Sequence, residues 1–282
     1  SAQFTVHLLP IFAILLYTLA GYLYARYLSS RSARLGSFGR SALTLGFVCH
    51  AAFLAALTAP LLRANLVGTG GGQSFAMGLG ALSAALVGVF LVLEYRKPSV
   101  TALGAFVAPL GVMFFLFSSL AFHVDAPDSA RWENGWLLWS HIGAALLADL
   151  LFALSFVFSA AFLVKERLLR QKRLTPTQQR LPSLEDLDRL NSKTLVIGLA
   201  FMSVGVGLGF VFAAYHRVRF FEFDPRLIWS SFLLLVYGII VALRLSRGIR
   251  GRRGAWLSVG AFIILLLSFF GVKVIGGSFH AY

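Results

Sequence analysis

Eight stretches of this chain are long and apolar enough to cross a lipid bilayer, and they leave little sequence for anything else. They cover about residues 7–28, 38–61, 74–94, 100–121, 136–164, 191–215, 227–246 and 255–274. A helical span needs roughly 20 apolar residues. Inside hydrocarbon the backbone N–H and C=O groups must be paired within the segment, so each stretch reads as a helix. Only 13 % of the residues are charged, against roughly 25 % in soluble domains. The fold class expected is all-α: a polytopic membrane protein, one integral membrane domain over residues 1–282, a bundle of eight transmembrane helices. The first stretch has no basic residue before it and no small-residue cleavage site after it, so it reads as a true span and not as a cleaved signal peptide.

The formal net charge of +14 would suit a nucleic-acid partner if it were clustered on a soluble face. It is instead distributed by topology. Nineteen of the 25 basic residues flank or occupy alternate connections: Arg26 to Arg40, Arg96 and Lys97, Lys165 to Lys193, and Arg244 to Arg253. Basic connections stay in the cytoplasm, which puts both termini outside and excludes nucleic acid as the reason for the charge. Attraction to anionic lipid is a secondary consequence. Residues 165–190 form the longest polar segment, a cytoplasmic loop. The fifth span is long enough either to tilt or to project into it as far as Arg173, and Thr-Pro-Thr at 175–177 breaks the helix. Ser183 with Asp186 three residues on is a helix-start signal. Leu184, Leu187 and Leu190 then make one apolar stripe, as on a short amphipathic helix lying along the inner surface.

Other motifs exclude more than they propose. The run Gly-Thr-Gly-Gly-Gly-Gln at 68–73 lacks the Gly-Lys-Ser/Thr of a phosphate loop. Cys49 is the single cysteine, so no internal disulfide forms, and no Cys-x-x-Cys-His exists for covalent haem attachment. The small residues of the sixth span, Gly198, Ser203, Gly205, Gly207 and Gly209, permit close helix packing.

The histidines carry the chemical signal. Five of six, His7, His123, His141, His216 and His280, fall at the outward ends of spans, and His50 lies inside the second span. Imidazole is the commonest axial ligand of haem iron and a common metal ligand and proton carrier. His141 follows Trp132, Trp136 and Trp139, which form an outer interfacial belt; taken alone it reads first as another interfacial polar residue. His280 stands a few residues beyond the eighth span, within reach of the outer mouth of the bundle. His50 is either a functional group at membrane depth or a neutral side chain bonded to a neighbouring helix. Asp149, two turns deeper than His141 and about 80° round the same helix, is open between ligand orientation, proton binding and helix bonding. In the outward segment 215–229, Phe220, Phe221 and Phe223 are placed to offer an apolar shelf to a porphyrin. Arg217, Arg219 and Arg226 are placed to meet its propionates.

At these residues the chain resembles the cytochrome c assembly superfamily of haem-handling membrane proteins, with its CcsA-like, YpjD-like and HemX-like branches. The matching pieces are Trp-Ser-His-Ile-Gly (139–143), Leu-Pro-Ser-Leu-Glu-Asp-Leu-Asp-Arg-Leu (181–190) and Phe-Asp-Pro (223–225). They continue with Arg-Leu-Ser-Arg-Gly-Ile-Arg-Gly-Arg-Arg (244–253), Phe-Phe-Gly-Val (269–272) and the ending Gly-Gly-x-x-His-x-Tyr (276–282). Cys-His-Ala at 49–51 also fits the YpjD-like branch. The resemblance implies His141 and His280 as axial ligands of the haem iron, Asp224 as the motif's aspartate, and His50 as the nearest candidate for a second, embedded haem. Where the assembly proteins carry Trp-x-Trp-Asp, this chain has Phe221-Glu222-Phe223-Asp224. A second embedded histidine would fall near Ala242, which cannot ligate iron. The match is therefore to the YpjD-like and HemX-like side.

The function expected is a haem-binding protein of the bacterial cytoplasmic (inner) membrane. It holds haem b near the outer face by two histidines, for cytochrome maturation, haem handling or electron transfer in a complex, and not for independent catalysis. Its partners would be haem, the bilayer and a membrane protein or cytochrome. A haem-free scaffold or regulatory subunit, working through the basic segment 165–193, is the alternative. A proton-coupled transporter using Asp149 and His50 ranks third, since no paired broken helices occur.

Overall fold

The computed structural model describes residues 2–30, 32–63, 71–121, 135–171, 176–215 and 225–276. In chain order the helices are α1 (Ala2–Ser29), α2 (Arg34–Arg63), α3 (Gly71–Arg96), a 3-10 turn (Pro98–Leu103), α4 (Gly104–Ala121), α5 (Gly135–Arg170), α6 (Pro176–Arg180), α7 (Leu184–Tyr215), α8 (Pro225–Arg247) and α9 (Gly251–Gly276). Eight of them, all but α6, are long and apolar enough to cross a membrane, and no strand occurs among the described residues. The all-helical, eight-span reading holds.

The helices sort into two compact units. One contains residues 1–133 with 167–182; the other contains 134–166 with 183–282. Each therefore holds four of the long helices.

In the first unit, α1 is the central element. Tyr17 and Tyr24, both fully buried, lie seven residues apart on one face. Each is met by glycine: a Cβ on Gly46 of α2 would come within 2.7 Å of the Tyr17 ring, and one on Gly104 at the start of α4 within 2.7 Å of Tyr24. The missing side chains let three helices close around two large rings. The Tyr24 hydroxyl donates to Glu94 Oε2 of α3 at 2.7 Å. Arg40 Nε of α2 stands 3.3 Å from Oε1, an ion pair outside hydrogen-bond alignment. Ser83 and Ser118 donate to the carbonyls of Gly111 and Ala76, at 2.8 and 2.6 Å, joining α3 to α4. Polar bonds of this kind hold helices together where lipid is as apolar as the side chains. From α6, Thr177 donates to the Leu28 carbonyl, and Arg180 donates to that of Tyr27 while its guanidinium covers the Tyr27 ring.

The second unit is built from α5, α7, α8 and α9. Asn191 of α7 is its internal knot: Oδ1 accepts from Ser155 of α5 at 2.6 Å and from Ser258 of α9 at 3.2 Å. Phe152 of α5 stacks on Tyr237 of α8 with centroids 3.6 Å apart, and Gly198 of α7 makes room for Phe152. Gly248 and Gly251, with φ of +62° and +65°, turn the chain from α8 into α9; only glycine adopts this conformation without strain.

One expected element is placed differently. The helix start at Ser183 is present: the Asp186 N–H donates to Ser183 Oγ at 3.0 Å, and the Ser183 hydroxyl donates to Asp186 Oδ2. What it starts is α7, which runs unbroken to Tyr215 and not as a separate surface helix. Leu187 is fully buried, and Asp188 and Asn191 bond to the start of α9. These partners turn the leucine stripe toward protein.

Asn191→Ala leaves two buried hydroxyls without their shared acceptor. It is expected to destabilise the protein by about 1–2 kcal/mol, read as a lowered thermal midpoint in mild detergent. Ser203→Ala removes only an exposed hydroxyl bonded to its own helix at Leu199 and is expected to leave the midpoint unchanged.

Candidate functional site

His141 lies in the second turn of α5, just past Trp136 and Trp139, which are both exposed on the helix surface. The residue is half-buried, and its ring is oriented by a contact from Nδ1 to the Gly205 carbonyl oxygen at 2.7 Å. A carbonyl only accepts, so Nδ1 carries the proton and donates it, and Nε2 keeps its lone pair. Small residues make this contact possible. A Cβ on Gly205 would stand 3.4 Å from the Ala145 backbone nitrogen and 3.6 Å from Ala144 Cβ. The backbones of α5 and α7 thus approach closely enough for an imidazole one turn away to reach a main-chain oxygen. A histidine that donates one ring N–H to a carbonyl and presents the other nitrogen has the arrangement of a metal-ligating histidine with its supporting bond.

The second expected ligand, His280, lies outside the described residues, as do Arg217, Arg219, Phe221, Phe223, Asp224, His123 and His216; so do the side chains of His7 and Arg226. Among the described residues no three His, Cys, Asp or Glu side chains gather into a metal cage. What His141 offers is one ring nitrogen not engaged by the Gly205 carbonyl.

His50 has different surroundings. It belongs to the first unit and is fully buried. Nδ1 shares a hydrogen bond of 3.2 Å with the Tyr17 hydroxyl, and the Phe115 ring covers the imidazole face at a centroid distance of 3.7 Å. Ala13 and Phe53 pack beside Phe115, and Nε2 has no partner among the described residues. A donor nitrogen is present, but a porphyrin cannot reach it without parting α1, α2 and α4. The residues around His50 do not fit a haem in this arrangement, and Cys49 beside it is only half-buried.

Asp149 is half-buried on α5, close enough for its charge to act on the Tyr237 hydroxyl, which has no hydrogen-bond partner among the described residues. The residue that sequence reasoning passed over is Gly205, grouped with its neighbours as a packing glycine. Its carbonyl leaves no compositional trace, and the cluster of small residues around positions 198–209 was the only available signal.

The family model for the cytochrome C assembly protein matches residues 72–280. A cytochrome c biogenesis protein CcsA from Synechococcus sp. (strain RCC307) is 34 % identical over 98 residues, covering 35 % of this chain and 32 % of that protein. In that match the chain spans about a third of its relative's length. The CcsA protein of Synechococcus sp. (strain CC9902) is 28 % identical over 217 residues, covering 68 % of this chain and 71 % of that protein. Protein HemX of Bacillus subtilis (strain 168) is 29 % identical over 160 residues, covering 55 % and 58 %. The family match includes the histidine on α5, its glycine partner on α7 and the C-terminal histidine. The chain belongs to the cytochrome c assembly protein family.

Proposed function

We propose that this protein holds haem b near the outer face of a bacterial cytoplasmic membrane, with His141 and His280 as axial ligands, and serves cytochrome c maturation. The observation that carries the reading is the Nδ1–H bond from His141 to the Gly205 carbonyl. It fixes the tautomer, orients the ring and leaves Nε2 free for iron. Family membership supports the role in cytochrome c maturation. The absence of Cys-x-x-Cys-His from the sequence fits a protein that carries haem without covalent attachment. The iron porphyrin supplies the redox-active metal centre. In this reading the chain's part would be to orient His141, to offer Phe221 and Phe223 to the apolar faces and Arg217 and Arg219 to the propionates, with Asp224 as the motif's aspartate.

The purified protein is expected to show a Soret band with low-spin character. His141→Ala and His280→Ala should each weaken it, and added imidazole should restore it in part, since free imidazole replaces a missing axial ligand. Gly205→Leu keeps both histidines but forces α5 from α7; it should lower haem affinity by about 10–100-fold. Gly207→Ala, which meets open space, should not. A protein that stays colourless after haem addition would overturn the reading in favour of the haem-free scaffold.

The reading requires the α5 start and the C-terminus to face outward. In a Cys49→Ser background, Ser278→Cys should react with an impermeant maleimide on intact cells stripped of outer wall. Gln179→Cys should react only after lysis. The reverse pattern would place His141 on the cytoplasmic side.

A further inference from the structure

The connection from α8 to α9 gathers five arginines within ten residues, 244 to 253. Four of them, Arg247, Arg250, Arg252 and Arg253, are exposed, while Arg244 is buried with 5 % of its side chain accessible. The Arg244 Nη1 group donates to Ser192 and stands 3.5 Å from Asp188. Nε and Nη2 have no acceptor among the described residues. They press on Gly254 in the first turn of α9, where a Cβ would stand 2.5 Å from Nη2.

This is an awkward place for a cation. α9 is 26 residues long, and its first turn bears positive partial charge and N–H groups with no acceptor inside the helix. Asp188 takes one of them, the Gly251 N–H, at 3.1 Å. The Arg250 charge acts on Arg244 with the same sign. Glu166 lies 3.8 Å from Arg252. Arg247, Arg250 and Arg253 have no carboxylate within ion-pair distance among the described residues. Positive-inside topology accounts for exposed arginines. It does not account for a buried guanidinium with two unpartnered nitrogens against the positive end of a helix.

A ligand is implied by these unmet donors. Arginine forks and helix N-termini both select phosphate oxyanions. The edges of the turn are apolar: Leu245 is 74 % exposed and Trp256 55 %. Trp at a span end marks the lipid interface. Lipid carries phosphate and hydrocarbon together, whereas dissolved phosphate would leave the apolar rim without a role.

We propose that the α8–α9 turn is a binding site for the phosphate of an anionic phospholipid headgroup, held by Arg250 and Arg253 at the entrance and by Arg244 with the α9 N-terminus at the floor. Seating the phosphate on that floor requires the Arg244 side chain to lift off Gly254.

Native mass spectrometry of the full-length protein, released from nanodiscs of phosphatidylglycerol and phosphatidylcholine, tests this. Phosphatidylglycerol should be retained in preference, and Arg250→Ala with Arg253→Ala should weaken that retention about thirty-fold. Arg96→Ala with Lys97→Ala removes the same charge from another connection and should leave it intact. Equal loss in both double variants, or equal retention of both lipids, would overturn the proposal. If inorganic phosphate alone binds and phosphatidylglycerol does not, the lipid assignment fails and the site belongs to a dissolved anion.

Discussion

Inside a bilayer no water is available to take up an unmade hydrogen bond, and this sets the terms for both halves of the chain. Helices satisfy their own backbone. Hydrophobicity cannot then choose one helix face over another, because lipid is as apolar as leucine. The choice falls to the few polar side chains and to the glycines that let helices approach. In the first unit these are Glu94, held by Tyr24 and Arg40, with glycines opposite the tyrosine rings. In the second they are Asn191 with its two serines, and Arg244 with Asp188 and Ser192.

The same rule separates two histidines of identical intrinsic chemistry. His141 spends one nitrogen on a main-chain oxygen and keeps the other available at a half-buried position. His50 is bonded to Tyr17 and covered by Phe115, with its second nitrogen sealed inside the packing. One ring is oriented for a ligand and the other is enclosed by neighbours. Neither outcome follows from the residue type; both follow from which helix lies opposite.

Hydropathy made the spans legible because the solvent demands it over some twenty consecutive residues. The Ser183 cap was legible because its partner is three residues away. The leucine stripe at 184, 187 and 190 was read correctly as apolar but given lipid as its neighbour, since the distant partners of Asp188 and Asn191 leave no mark on local periodicity. Nothing local to Glu94 announces that it is held in the core by the hydroxyl of Tyr24, seventy residues earlier, which donates to it. The Gly205 contact to His141 spans 64 residues and involves a backbone atom that every residue possesses.

The two polar knots differ in when they can form. Tyr24 and Arg40, which hold Glu94, precede it in the chain, and Thr101 follows it by only seven residues, so its partners are at hand as α3 and the turn after it leave the ribosome. Asn191 has Ser155 before it but Ser258 sixty-seven residues after. Synthesis proceeds from the N-terminus, and domains close in that order. The first knot therefore ties during translation, while the second stays half made until α9 has emerged. The unit that presents His141 takes its final shape only as the last span enters the bilayer.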